Sequence, residues 1–264
     1  MNASTSFVKS LLAQCCLGGI CEWVVCPGAR NMALLQVLAA AEDLVQWTHF
    51  DERSAAFFAL GRIQDMGLPA AVVTTSGTAA AELLPAVVEA YYQRRPLLLL
   101  TADRPADYRG SAAPQAIEQA DMFGIYAPTI DLQTPDDLPE DILEDWDYAS
   151  PLHINVCLPD PDPTWNPGHC DLYPAEPPEE NKFRGSLSGL AQALRFKARH
   201  GLVLMLGGLD PTEQAPALWL ANELKAPVVA DATSGLREEL DHLALTDADR
   251  LLKQNPPAVL LRVG

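Results

Sequence analysis

The chain has 264 residues, 48% hydrophobic and 20% charged, which is enough for one large or two ordinary domains with a full core. A formal net charge of −17, with no arginine or lysine cluster to offset it, argues against nucleic acid as the main partner. No apolar run approaches a membrane span, and no basic region precedes an apolar stretch at the amino terminus, so a cytoplasmic protein is expected.

Strand and helix patterns alternate through the first part of the chain. Residues 7–17 read as a helix, 22–26 as a short buried strand, 31–41 as a helix and 44–49 as the next strand. A helix over 52–66, a strand over 70–74 and a helix over 78–92 follow, and then the continuous apolar run 97–101, the pattern of a parallel strand covered on both faces. A helix is expected within 135–148 and a strand over 152–156. The acids from Asp136 to Asp147 read as a solvated helix face rather than a metal site. Such alternation predicts an α/β fold, a parallel sheet flanked by helices with right-handed crossovers.

The pattern breaks at Leu158. Seven prolines between positions 158 and 178 argue against regular structure and read as a linker, taken as 158–182. A second α/β pattern follows over 183–264: a helix over 186–200, a strand over 202–206, a helix over 211–224, and strands over 227–230 and 258–263. A sheet ending on such an edge strand reads as a partial domain, and the chain as a fragment of something longer. The six cysteines contain no Cys-x-x-Cys pair, and the early group Cys15, Cys16, Cys21 and Cys26 is expected to pack as small hydrophobes rather than hold a metal.

Four motifs fall where a strand pattern gives way to the next segment: Pro27-Gly28-Ala29-Arg30, Asp51-Glu52-Arg53, Thr75-Ser76-Gly77-Thr78 and Ala102-Asp103-Arg104-Pro105. In an open α/β sheet, ligands bind outside the carboxyl ends of the strands, so one carboxylate and several guanidiniums gathered there suit an anionic ligand. Glu52 at a helix start could also be a plain cap, and the Thr75-Ser76-Gly77 turn could be either an anion-holding turn or another cap. Gln115 lies in the irregular segment after Arg104, within reach of the same crevice.

Taken together, Cys26-Pro27-Gly28-x-Arg30, Phe50-Asp51-Glu52-Arg53, Thr75-Ser76-Gly77-Thr78-Ala79, Leu100-Thr101-Ala102-Asp103-Arg104-Pro105, Gln115-Ala116-Ile117 and Met122-Phe123-Gly124 give a more specific signal. In order and spacing they resemble the amino-terminal part of the 2-succinyl-5-enolpyruvyl-6-hydroxy-3-cyclohexene-1-carboxylate synthase family, thiamine-diphosphate enzymes of menaquinone synthesis. The resemblance implies that residues 1–157 form a pyrimidine-binding domain and 183–264 part of a central domain. It implies a homo-oligomer when full length, with thiamine diphosphate and Mg²⁺ as cofactors and 2-oxoglutarate and isochorismate as substrates. In such a protein Glu52 would bond a pyrimidine nitrogen, favouring the imino tautomer that removes the thiazolium proton. After decarboxylation of 2-oxoglutarate, the succinyl-semialdehyde carbanion would add to isochorismate.

The same resemblance assigns Thr75, Ser76 and Gly77 to the cofactor, and Arg30, Asn31, Arg104 and Gln115 to substrate carboxylates. The family usually has a serine after Pro-Gly and a serine or threonine after the arginine, where this chain has Ala29 and Asn31. Its diphosphate and Mg²⁺ motif, Gly-Asp-Gly, does not occur in these residues, so the chain alone is expected to be inactive. Two other readings stay open: another thiamine-diphosphate decarboxylase or carboligase, and a non-catalytic binding module that retains the fold.

Overall fold

Strands whose sequences are apolar on both sides must lie where both faces are covered, and they set the architecture. In the computed structural model, which describes residues 3–175, 201–264, Leu194 and Phe196, every residue of β1 (Glu22–Val25), β3 (Ala70–Thr74) and β4 (Leu97–Asp103) is buried. With β2 (Val45–Thr48), β5 (Thr129–Leu132) and β6 (Leu152–Cys157) they form one six-stranded sheet in the order β2-β1-β3-β4-β6-β5. All neighbours run parallel, with Val25 beside Thr48 and Val73, Thr74 beside Thr101, and Asp103 beside Cys157. The carboxyl ends therefore share one edge.

The period of two along each strand divides the core. Val25, Val73, Leu98, Leu100 and Ile154 pack with Leu11 and Leu12 of α1 (Ala3–Leu17) and Val37 and Leu38 of α2 (Met32–Ala39). On the other face Val24, Val72, Leu97 and Leu99 pack with α3 (Glu52–Met66) and α5 (Leu84–Gln93). Alanines 55, 56 and 59 on the buried side of α3 let it lie close to the sheet. Burial raises the thiols of Cys16 and Cys26 to about 12, and both residues pack in these apolar clusters.

Two expected helices need correction, and one strand is additional. The helix expected over 78–92 is two, α4 (Thr78–Ala81) and α5, because Pro85 has no N–H and takes a place in the first turn of a new helix. Within 135–148 there is only one 3₁₀ turn, Pro135–Asp137, followed by irregular turns. Pro139 interrupts the ladder there, and the carboxylates of Asp141 and Asp147 accept from the nearby Leu143 and Ala149 amides, an alternative to helical bonding. Strand β5 was not anticipated; only four residues long, it sits at the edge beyond β6.

Residues 158–175 of the proline-rich segment contain no helix or strand, and they run back over the first unit. Leu158, Cys170 and Leu172 are buried, the Cys170 amide donates to the Ala40 carbonyl at 3.2 Å, and the Ala175 amide donates to that of Cys16 at 2.9 Å. The chain divides into compact units at Pro177 and Pro178. The second unit is a parallel three-stranded sheet, β8-β7-β9, made of β7 (Leu202–Leu206), β8 (Val228–Ala230) and β9 (Val259–Val263). Its helices among the described residues include α6 (Pro211–Leu224), opened by a capping box between Asp210 and Glu213, and the unanticipated α7 (Ala248–Gln254). The helix expected over 186–200 lies outside the described residues. No described helix is long and apolar enough to cross a membrane.

Leu99 is fully buried in the second core face, so Leu99→Ala is expected to cost about 2–5 kcal/mol, and Leu260→Ala, half exposed, less than about 1 kcal/mol. Urea unfolding monitored by tryptophan fluorescence measures both.

Candidate active site

The chain leaves β1 for β2 on one side and later returns to β3 on the other, so the topological switch point lies between the carboxyl ends of β1 and β3. The turns that follow these two strands touch. A Cβ on Gly28 would lie 2.5 Å from Thr75 Cβ, so the approach admits only glycine. The Arg30 amide donates to Thr75 Oγ1 at 3.3 Å. Asn31 braces the first turn from within: its Oδ1 accepts from the Gly28 amide and its Nδ2 donates to the Cys26 carbonyl, both at 2.9 Å, and the residue is fully buried. Its carboxamide is engaged inside the turn and does not face the open edge.

Glu52 is the first residue of α3 and is half-buried. The cap is its neighbour: Asp51 Oδ1 accepts from the Ser54 amide at 2.7 Å, and bonds from the Ser54 hydroxyl first and its amide second hold the Asp51 carboxyl below its ordinary range. The Glu52 carboxylate has no hydrogen-bond or ion-pair partner among the described residues. It lies beside Cys26, whose thiol is raised first by burial and then by the charges of Glu52 and Asp51.

Gly77 closes the second turn with φ 81° and ψ −137°, a conformation open to glycine alone. Its amide donates to Gln119 Oε1 at 3.0 Å, and a Cβ there would lie 3.1 Å from Gln115 Cα. Ser76 is buried beside it. Arg104 Nε donates to the Pro114 carbonyl at 2.9 Å, and its guanidinium lies 5.5 Å from the centre of the Tyr108 ring. The loop from Arg104 to Gln119 thus brings the exposed Gln115 against the Gly77 turn, with Arg104 bonded to the adjacent Pro114. Arg30 is different. Its guanidinium is buried, donates to the Leu158 carbonyl at 3.1 Å and to Asp160 Oδ1 at 3.0 Å, and borders a cavity of about 230 Å³ with Val8, Gln36 and Trp165.

Sequence reasoning missed a buried polar layer at the ends of β4, β6 and β5. Thr101 and Asp103, His153 and Asn155, and Thr129 and Asp131 occupy alternate positions that point to one face. Arg109 grips both oxygens of Asp131 at 2.7 and 2.8 Å and reaches Asp103 at 3.4 Å. Burial alone would raise the Asp131 carboxyl, but the bonds from Arg109, Asn155 and Gln133 prevail and hold it at about 2. His153 lies between Thr101 Oγ1 at 2.7 Å and Thr129 Oγ1 at 3.0 Å, and burial depresses its imidazole to about 3. The alternation in Leu152-His153-Ile154-Asn155 was the available signal.

Parallel strand ends, a carboxylate without a partner among the described residues and a glycine turn at the switch point share one edge, and known proteins offer a comparison. Residues 6–122 match the thiamine pyrophosphate enzyme N-terminal TPP binding domain. A solved structure of a candidate thiamin diphosphate-dependent enzyme from Mycobacterium smegmatis shares the fold, with a TM-score of 0.59 at 19% identity over 85% of this chain and 44% of that one.

The chain is 89% identical over its whole length to the 2-succinyl-5-enolpyruvyl-6-hydroxy-3-cyclohexene-1-carboxylate synthase of Akkermansia muciniphila, covering 50% of that protein. It is 35% identical to the synthase of Chloroflexus aurantiacus, covering 49% of it, and 37% identical to that of Geobacillus thermodenitrificans, covering 50%. The chain spans about half the length of the curated relatives it matches.

Two outcomes follow from the geometry. Gly77→Ala places a β-carbon in a glycine-only conformation against Gln115, so a loss of about 1–3 kcal/mol is expected in thermal unfolding. His153 has a folded value of about 3, below its ordinary 6.5, so the unfolded chain binds the extra proton between those values. Stability is therefore expected to fall as pH drops through that window, and denaturant midpoints for wild type and His153→Gln should show a shallower decline in the variant.

Proposed function

We propose that this chain is the amino-terminal half of a thiamine-diphosphate-dependent synthase that decarboxylates 2-oxoglutarate and joins the remaining four-carbon unit to isochorismate. The observation that carries the reading is the division of labour at the start of α3: Asp51 caps the helix, and Glu52 is left half-buried and unpartnered at the switch-point edge. A helix needs one cap. A second carboxylate held there without a bond suits an external ligand that donates a hydrogen to it.

Thiamine diphosphate, when bound, supplies the electron sink for cleaving the bond beside a 2-oxo group. Glu52 would hold its aminopyrimidine by accepting a hydrogen bond at a ring nitrogen, and the Thr75-Ser76-Gly77 turn would line the ring. Arg104 and Gln115 are the groups proposed for substrate carboxylates at the edge, Arg104 through charge-assisted bonds. Arg30 would join them on exchanging its Asp160 contact for a substrate carboxylate. For Asn31 we propose an indirect part, holding the turn that presents Arg30.

The residues present suit the pyrimidine half of the cofactor better than its diphosphate. No group of three His, Cys, Asp or Glu side chains among the described residues could hold a metal ion, so Mg²⁺ and the diphosphate would be held elsewhere in the whole protein. The exposed aromatic side chains of Phe50 and Phe57, in the segment around Glu52, support a homo-oligomer in which this edge is covered.

In the full-length protein Glu52→Gln keeps size and an acceptor oxygen but not the charge, so turnover is expected to fall by about 10²–10⁴ with the melting temperature nearly unchanged. Decarboxylation of 2-oxoglutarate and exchange of the cofactor C2 proton measure it, and equal rates in the folded variant would reduce Glu52 to a structural residue. The 264-residue chain alone is expected to bind thiamine diphosphate weakly with or without Mg²⁺, as read by titration calorimetry.

A further inference from the structure

We propose that Gln119 is a positioning residue of this site, tying the Thr75-Ser76-Gly77 turn to the ends of β4 and β6 and so fixing the loop that carries Arg104 and Gln115. The inference rests on the reading of that edge as the ligand site. Gln119 is fully buried. Its Oε1 accepts from the Gly77 amide at 3.0 Å, and its Nε2 lies within bonding distance of the Ala102 carbonyl at 3.0 Å, Thr101 Oγ1 at 3.1 Å and Asn155 Oδ1 at 2.8 Å.

The connections continue beyond the carboxamide. Asn155 Nδ2 donates to Asp131 Oδ1 at 2.7 Å and to Asp103 Oδ2 at 3.2 Å, and Arg109 bonds both of those carboxylates. Asp103 Oδ1 in turn accepts from the Arg104 amide at 2.7 Å. One hydrogen-bonded path thus runs from the Gly77 turn through Gln119 to the backbone of Arg104, and the Gly77 side of it packs on Gln115.

The residue type follows from the path. An amide offers an acceptor at one end and donors at the other, matching a backbone N–H on one side and a carbonyl on the other. Methionine would fill the volume but leave the Gly77 N–H and the Ala102 carbonyl without this partner, and glutamate would bury a further carboxylate near Asp103 and Asp131. Small displacements of substrate-holding groups are costly in enzymes, so a side chain that sets their spacing acts on function without touching ligand.

The test uses the full-length protein with Gln119→Met, and Thr129→Val as a control that removes a buried bond to His153 in the same layer but not the tether. Amide exchange at Gly77 is expected to quicken about tenfold or more in Gln119→Met and to stay unchanged in Thr129→Val. The KM for the anionic substrate is expected to rise about tenfold in Gln119→Met with kcat within about threefold, and to stay near wild type in Thr129→Val.

Unchanged Gly77 exchange in folded Gln119→Met, or an equal rise in KM in Thr129→Val, overturns the proposal. If Gln119→Met does not fold, Gln119→Asn, which keeps the amide but shortens its reach, is judged by the same two readings. A wild-type protein that turns over neither substrate would refute the proposed function, and Gly77 exchange then decides the tether by itself.

Discussion

Parallel pairing is the constraint on which the rest depends. Because β1 pairs in parallel with both β2 and β3, and β3 with β4, their carboxyl ends must emerge on one edge. The chain moves outward from β1 to β2 and then returns past it to β3, which leaves a crevice between two turns instead of a covered connection. The Gly28, Glu52 and Gly77 turns stand at that edge, whereas the ion pair of the buried Glu22 with Arg62 lies at the amino end of β1. The two apolar clusters cover the two faces of the sheet and anchor its helices.

The contact between the turns is tight because both were built for it. Gly28 has no side chain where Thr75 approaches, and Asn31 fills the hollow of its own turn with a carboxamide that bonds both ways. The second turn depends on a glycine conformation at Gly77 and on the carboxamide of Gln119. Neither turn is held by charge.

The polar layer beneath the Arg104–Gln119 loop shows how a sheet face can be hydrophilic and still buried. Each carboxylate there has an arginine or amide partner, and the histidine stays neutral between two hydroxyls. Buried polar groups are tolerable only when partnered, and such networks specify one arrangement more sharply than an oily face does. A loop resting on that layer is held in register in a way that apolar contacts alone would not supply.

Much of the first unit was legible in the sequence, because period and run length report burial directly. The runs at 70–74 and 97–101 announced interior strands, and the strand-to-helix junctions located Gly28, Glu52 and Gly77 at one edge. Local chemistry misled where two signals competed: the 135–148 segment had apolar spacing suited to a helix, but prolines and backbone-bonding aspartates made turns of it. Which acid caps α3 could not be read, since Asp51 and Glu52 are both good candidates and backbone geometry alone separates them. Nor could the partners of Arg30, or the layer joining Gln119 to Asn155, because those bonds span residues far apart in the chain. The sequence determined the elements and the edge at which they meet, through short-range periodicity and turn chemistry. Tertiary structure alone decided which polar side chains face one another, because that depends on strand order, and no local pattern encodes it.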